Sequence, residues 1–366
     1  MNNKICHIST VHSVFDTRVL YRECKSLAEA GNKVYLVIQH DKDETIMGVN
    51  IRVIKKSKNR FVRIFLSIFR ALKTALKTKS QAYHFHDPEL LPVGIFLRLL
   101  GKKVIYDVHE NVPAQIMNKN WLGIKFFRIL AAGVFFLFEK FAVLFCHKVI
   151  SAEPELAKRF PKRKTVTVRN LPLYEFITKI EKSDIAKEKT TLIYAGGLSR
   201  VRGIKEIIIS TEFTKNPVEL WILGKWESKS YEEECRGLSG WKNTQYLGYV
   251  LPEQVYAYMK AADIGLCMLY PIKNHVKSIP IKSFEYAACG LPQIISNFPY
   301  FEEYFKEIAD FADPFSPEDI AKKIDTAIEN KMNNPHKLYL NKIIESKFSW
   351  EIEKNVLLNT YNELFR

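Results

Sequence analysis

The chain has 366 residues, 47% of them hydrophobic and 26% charged, with 15 Gly and 15 Pro. That excludes collagen-like and disordered chains and suggests two domains, or three. Six cysteines with no CxxC pair exclude a disulfide scaffold and a zinc ribbon and fit a reduced, cytosolic setting, and the net charge of +15 is uneven: residues 1–170 carry 30 Lys+Arg against 13 Asp+Glu, the remainder 25 against 27.

Strand-like and helix-like runs alternate along the chain. Met1-Asn2-Asn3-Lys4 leads straight into a strand at 5–9, with no signal-peptide pattern. Asp16 is the candidate N-cap of a helix with Val19, Leu20, Cys24, Leu27 and Ala28 on one face, stopping at Gly31. A strand follows at 34–38. The loop Asp41-Lys42-Asp43 resembles an Asp-x-Asp metal motif only superficially and reads as surface. Residues 51–79 hold ten basic side chains and no acidic one. From Phe61 this run is periodic: Phe65, Phe69, Leu72 and Leu76 continue the stripe, while Arg63, Lys73 and Lys77 fall off it. Such a helix either packs on a sheet with a solvated cationic rim or lies on an anionic membrane. No nucleic-acid-binding pattern accompanies it. Strands follow at 82–85, 104–107 and 148–151. The most lipid-like stretch is 126–145, but Arg128, Glu139 and Lys140 interrupt it, so it reads as a buried or interfacial helix rather than a spanning one.

Between 171 and 189 the alternation weakens, and a linker is predicted there. It restarts with strands at 191–195, 218–223, 244–247, 264–269 and 293–296. Helices begin at Gly203 and cover 253–262 and 282–288, the last ended by Gly290 as a C′ residue. The pattern predicts an α/β protein of two Rossmann-like, doubly wound domains facing a central cleft, where ligands meet the carboxyl ends of the strands.

Two segments carry chemistry. In Gly196-Gly197-Leu198-Ser199-Arg200-Val201-Arg202-Gly203-Ile204-Lys205, a strand ends in two glycines and passes through a basic loop into a helix N-terminus. Close backbone approach, free N–H groups and cations together describe a diphosphate site. In the second segment, Glu285 sits inside an apolar helix that runs into Gly290-Leu291-Pro292. A carboxylate there needs a partner, and a ribose diol is one. Lys282, one turn earlier, either meets a phosphate or pairs with Glu285.

These residues resemble those of family 4 glycosyltransferases, which have the GT-B fold, act with retention and use nucleotide sugars. The segment 280–292 resembles the family's proline, lysine, Phe-Glu-Tyr, Gly-x-Pro pattern, and 196–203 resembles its diphosphate loop. Leu247-Gly248-Tyr249 and Ala261-Ala262-Asp263-Ile264 resemble the segments flanking the base pocket. Phe348-Ser349-Trp350 and the helix to Phe365 resemble a tail that returns to the N-terminal domain. In the first half, His12 with Asp16-Thr17-Arg18, His86-Asp87-Pro88-Glu89-Leu90 and Asp107-Val108-His109-Glu110 resemble a subgroup that builds bacterial surface polysaccharides.

The resemblance implies an acceptor domain at 1–175, a donor domain at 190–346 and a returning helix at 347–366. It implies donor contacts from Gly197, Arg200, Arg202, Gly203, Tyr249, Lys282 and Glu285, with Glu285 on the ribose and Arg202 and Lys282 on the diphosphate. His109 would lie by the transferred sugar, and Asp16, Arg18, His86, Asp87 and Glu110 would bind acceptor. His86-Asp87 reads equally as a helix cap before Pro88. Two positions depart from the family: Lys277 stands where a second glutamate is usual, and Gly197 where arginine is usual, with Arg200 as its substitute. No metal or cofactor is expected beyond the nucleotide-sugar substrate. The implied partners are a polyprenyl-diphosphate-linked glycan acceptor and the anionic inner leaflet, on which a cytoplasmic enzyme would sit peripherally. A sugar-nucleotide epimerase of the same fold and a non-catalytic basic binding protein are the alternatives.

Overall fold

The computed structural model describes residues 3–55, 60–117, 123–272, 275–276, 278–331 and 336–366. The chain divides into two units: Met1–Asn170 with Glu353–Arg366, and Leu171–Ile352.

The first unit holds strands β1 (Lys4–Ile8), β2 (Lys33–Ile38), β3 (Glu44–Ile46), β4 (Val49–Val53), β5 (Ala82–Phe85), β6 (Lys103–Val108), β7 (Lys148–Ser151) and β8 (Thr165–Thr167). They form one sheet in the order β3-β4-β2-β1-β5-β6-β7-β8, parallel except for the β3–β4 hairpin. Its helices are α1 (Lys25–Glu29), α2 (Arg60–Lys77), α3 (Leu91–Leu99), α4 (Val112–Met117), α5 (Lys125–Phe145) and α6 (Pro154–Ala157). Helices α2, α3 and α5 pack on one face, over Ile8, Val37, Tyr83, Phe85 and Tyr106.

Three expectations change here. The helix after Asp16 opens as a π-helix over Thr17–Cys24 before continuing as α1. Asp16 does cap it, accepting from the Arg18 and Val19 amides at 2.9 Å. In α2 the buried stripe is Ala71 and Ala75, flanked by Ile68, Leu72 and Leu76, because small residues let the helix approach the sheet. Phe69, on the predicted apolar stripe, is 63% exposed. Lys56 and Lys58 of the basic run lie outside the described residues, as do the side chains of Arg60, Phe61, Arg63 and Phe65. The short strands β3 and β8 escape sequence patterning because each carries a single apolar residue, whereas β4, Val-Asn-Ile-Arg-Val, alternates as a strand should but runs straight into the basic segment.

The second unit holds α7 (Tyr174–Lys179), β9 (Thr190–Ala195), α8 (Ile204–Ser210), β10 (Val218–Leu223), α9 (Lys229–Arg236), β11 (Thr244–Gly248) and α10 (Pro252–Ala261). It continues with β12 (Ile264–Cys267), α11 (Ile281–Ala288), β13 (Gln293–Ser296), α12 (Pro299–Phe305), β14 (Asp310–Ala312), α13 (Pro317–Lys331) and α14 (His336–Lys347). Its sheet is wholly parallel, in the order β11-β10-β9-β12-β13-β14, with a core on each face. The predicted linker at 171–190 is no linker. Leu171 and Ile177 are core residues, and Lys187 is ion-paired with Asp263 at 3.0 Å.

The last helix, α15 (Trp350–Phe365), spans the boundary, and from Glu353 onward it belongs to the first unit. There Glu353 accepts from the Arg169 amide at 2.7 Å, and Lys148 pairs with Glu363 at 2.7 Å.

Candidate active site

In the second unit, β9, β10 and β11 each run into a glycine with positive φ: Gly196 (145°), Gly224 (143°) and Gly248 (78°). The strand ends crowd together there. A Cβ on Gly224 would run into the Gly196 carbonyl oxygen, so this edge is bare backbone by necessity.

Two cations flank it. Lys282 projects from the first turn of α11 to Gly196, where its Nζ would stand 2.8 Å from a Cβ added to that glycine. Nζ lies 3.4 Å from the centre of the Tyr194 ring, is buried, and has no hydrogen-bond partner among the described residues. Tyr194 is fixed in turn by donating to the Gly197 carbonyl at 2.9 Å. Arg202 lies over Gly197, with Nε 3.7 Å from the position of a Cβ there. The Cys267 thiol at the end of β12 is pushed up by burial and pulled back by both Lys282 and Arg202. Gly203, at φ 62°, turns the chain into α8, and a side chain there would strike the Met268 carbonyl.

Glu285 lies one turn beyond Lys282 on α11. The two are not ion-paired among the described residues. Glu285 instead accepts from the Tyr256 hydroxyl at 2.8 Å, which leaves its other oxygen for a further donor. The neighbouring Tyr286 is a structural bolt: its buried hydroxyl donates to the Ile193 and Leu266 carbonyls and accepts from the Ala195 amide, tying β9 to β12. Tyr249 follows Gly248 and is 68% exposed, with Lys225 Nζ 4.2 Å from its ring centre.

Arg200 is placed otherwise than the sequence suggests. It forks onto Glu234, approaches Glu227 at 3.9 Å and covers the Tyr231 ring. Those partners hold it to α9 rather than leaving it free for a phosphate. Lys277 lies outside the described residues. A separate cavity of about 800 Å³, lined by Asp263, Leu291 and Gln293, opens at the amino ends of β12 and β13. Doubly wound sheets bind ligands at the carboxyl ends, so the glycine end is the candidate site.

In the first unit the carboxyl ends of β1, β5 and β6 bring four histidines, two acids and an arginine together. Arg18 is buried and takes both oxygens of Asp107, at 3.1 and 2.9 Å, while its third nitrogen donates to the Val168 carbonyl. Glu23 also touches Arg18, at 3.1 Å. Burial and the Asp107 charge push Glu23 well up. Asp107 is held well down against burial, by Arg18 first and then by His109 and His86. The pair therefore carries one negative charge, on Asp107, matched to Arg18.

Asp107 Oδ2 accepts from His86 Nδ1 at 3.0 Å and faces His109 Nε2 at 3.2 Å. With Nδ1 of His86 as donor, its Nε2 accepts from His7 Nδ1 at 2.9 Å. His7 Nε2 then accepts from the Tyr361 hydroxyl at 3.2 Å, and that oxygen accepts from His84 Nδ1 at 2.9 Å. This assignment of tautomers satisfies a chain of rings ending on Asp107. Burial pushes His7 and His84 well down and lowers His109 to about 3. His109 is therefore neutral, with Nε2 turned to Asp107 and Nδ1 left over among the described residues. The ligand atoms of His86, Asp107 and His109 lie within metal-clustering distance, but these hydrogen bonds and Arg18 account for their arrangement.

The acceptor residues named from the sequence sort differently. Arg18, His86 and Asp87 are buried supports. Asp87 is neither an exposed contact nor a side-chain cap for Pro88. Its Oδ2 accepts from Ser9 Oγ at 2.9 Å and from the Thr10 amide at 2.5 Å, pinning the loop after β1. Asp16 caps its helix and holds His12 at 3.0 Å. Glu110 is exposed and accepts from Gln115. Sequence reasoning missed His7, Glu23, His84 and Tyr361. The spacing of His84 and His86 on one strand, and Glu23 on an apolar helix face, were the signals available. The loop Asp41-Lys42-Asp43 is exposed, and Asp43 accepts from the Val53 amide.

Both units are thus doubly wound α/β domains with their polar clusters at strand carboxyl ends, and the chain has the GT-B fold. Sucrose-phosphate synthase from Thermosynechococcus elongatus is similar over 100% of this chain and 99% of its own, at TM-score 0.78 and 15% identity. Anabaena HepE in complex with UDP-glucose is similar over 99% and 100%, at TM-score 0.73 and 12% identity. A glycosyltransferase from Rickettsia africae is similar over 100% and 99%, at TM-score 0.73 and 11% identity. Residues 175–344, nearly the whole of the second unit, match the family described as Glycosyl transferases group 1. A comparison with curated protein sequences finds no match.

Proposed function

We propose that the protein is a retaining, metal-independent glycosyltransferase of family 4 that moves a hexosyl group from a nucleoside-diphosphate sugar to a glycan acceptor. The observation that carries this reading is the placement of Lys282 and Arg202 on either side of Gly196–Gly197, with Glu285 one helical turn away. As the donor bond breaks, charge builds on the departing diphosphate, and preorganised cations there lower the barrier. Glu285 takes the ribose, and Tyr249 flanks the base. His109, kept neutral by burial, is the proposed catalytic residue at the sugar. The HepE structure contains UDP-glucose, so uracil is the first base to test.

The acceptor we propose is a polyprenyl-diphosphate-linked glycan of bacterial surface polysaccharide synthesis, met at the inner face of the cytoplasmic membrane. The basic excess of residues 1–170 supports this. No helix among the described residues is long and apolar enough to cross a membrane.

The test is a thermal-shift screen against UDP, GDP, ADP, CMP and dTDP, with and without EDTA. One nucleotide should raise the midpoint by the equivalent of about 2.7 kcal/mol at a hundredfold excess over Kd, unchanged by EDTA. No shift with any nucleotide would defeat the donor site. Turnover without an acceptor would favour the epimerase.

A further inference from the structure

Helix α5 is amphipathic the wrong way round for a helix on a soluble domain. Its sheet side buries Ala132, Ala142 and Val143, but also Glu139, which accepts from the Tyr106 hydroxyl and pairs with Arg159. Its outer side exposes Phe126, Leu130, Val134, Leu137, Phe141 and Leu144, each more than half exposed, with Leu137 at 68%. Phe136 and Phe138, at the two edges of this side, are exposed as well. At about 100° per residue the apolar arc is roughly 200° wide, and only Gly133 and Lys140 interrupt it. The neighbouring helix α3 extends the patch with exposed Phe96, Leu99 and Leu100.

We propose that this face of α5, with the end of α3, beds into the headgroup–acyl boundary of an anionic lipid bilayer, the helix axis lying in the membrane plane. The inference rests on the membrane-side reading above and names the element that performs it. Three observations favour lipid over a second copy of the chain. The arc is far wider than the narrow seam of a paired helix, and the positions beside such a seam hold Gly133, Phe138 and Lys140 rather than complementary charges. The surroundings are cationic: residues 90–164 carry 13 Lys+Arg against 5 Asp+Glu. Two of those acids, Asp107 and Glu139, are buried. Exposed Lys125 and Lys140 lie on α5 itself, and the loop bearing Lys162 and Arg163 is tied to its end through Lys164, which donates to the Leu144 and Cys146 carbonyls at 2.8 Å. An apolar strip with basic flanks matches an anionic interface on both counts. At 1.5 Å per residue, the 21 residues give about 31 Å of contact.

The experiment uses the full chain. Co-sedimentation with phosphatidylcholine vesicles, with and without phosphatidylglycerol, is measured for wild type and for Leu137→Gln/Phe141→Gln. Wild type should bind the anionic vesicles, and the double variant should bind at least tenfold more weakly. Its far-UV circular dichroism and its melting curve without ligand should match wild type, which reports that both units fold. All six native cysteines are buried, so Leu137→Cys can carry an environment-sensitive dye. Its emission should shift to the blue on anionic vesicles, while the same dye at Lys229→Cys in the second unit should not move. Equal vesicle binding by wild type and double variant would overturn the assignment to α5 and leave the peripheral reading standing. No vesicle binding by wild type would overturn both. A dimer in light scattering that the double variant dissociates, with no dye shift on vesicles, would assign the face to a second copy.

Discussion

Replacing Lys282 by Met separates what the ammonium does for the fold from what it does for a ligand. Its Nζ is buried without a hydrogen-bond partner among the described residues and is held against the face of Tyr194 at 3.4 Å. That cation–π contact contributes about 0.5–2 kcal/mol. Keeping an unpaired ammonium out of water costs several kcal/mol, so the penalty is the larger. Methionine fills much the same volume. Scanning calorimetry of Lys282→Met without ligand should therefore find the melting temperature unchanged or raised. A bound diphosphate, by contrast, loses a charge-assisted contact of about 1.5–3 kcal/mol. Titration calorimetry with UDP, or with whichever nucleotide the thermal screen selects, should find affinity reduced roughly 10- to 150-fold. The opposite pattern, a lowered melting temperature with nucleotide affinity intact, would mean that Lys282 is a structural cation, and the reasoning about the glycine cradle would fail.

Arg18→Met should be far more damaging to the fold, because it leaves Asp107 charged and buried without its bidentate partner. We expect a loss of about 3–5 kcal/mol in chemical denaturation of the first unit. Arg18→Lys should not restore it, since an ammonium cannot span both carboxylate oxygens and the Val168 carbonyl. For pH the sign is set by the histidines. His7, His84 and His109 have folded pKa values below their unfolded ones, so the unfolded chain binds more protons as pH falls below about 6.5. Stability is therefore full at neutral pH and falls on acidification, by up to about 1.4 kcal/mol per pH unit per group, and for His109 the fall continues to about 3. His12 and Glu23 work the other way: burial lowers His12, but the hydrogen bond and charge of Asp16 together with the charges of Asp87 and Asp107 outweigh it and raise it, and Glu23 is pushed well up by burial and Asp107. Melting curves from pH 7 to 5 should show a net decline, and His109→Gln should make it shallower.

Much of this was legible in the residues. The long parallel strands read through because they are continuous apolar runs, and the gathering of Gly196, Arg202, Lys282 and Glu285 because they fall within two short segments. Strands β3 and β8 were not legible, since their pairing is supplied by neighbours rather than by their own pattern, and β4 alternates but merges into the basic run. Arg200 shows the limit of counting charges in a loop: its partners Glu227 and Glu234 are 27 and 34 residues away. Arg18 and Asp87 looked like surface chemistry, because a sequence does not reveal which polar residues are buried together. The outward face of α5 was hidden for the same reason. Hydrophobicity alone does not say which side of a helix meets the sheet, and here Glu139 faces inward while Leu137 and Phe141 face out.

The last fourteen residues close the first unit, and Tyr361 among them holds the far end of the histidine chain through His84 and His7. During synthesis, domains generally fold in order from the N-terminus as they emerge. This one waits: residues 171–352 must be made before its own final helix exists. Until then His7 and His84 lack the phenol that joins them, and Arg169 lacks Glu353. The first unit to be translated is thus the last to be completed. A chain cut short by only a few residues would retain every residue proposed to bind nucleotide and lose the closing member of the other cluster.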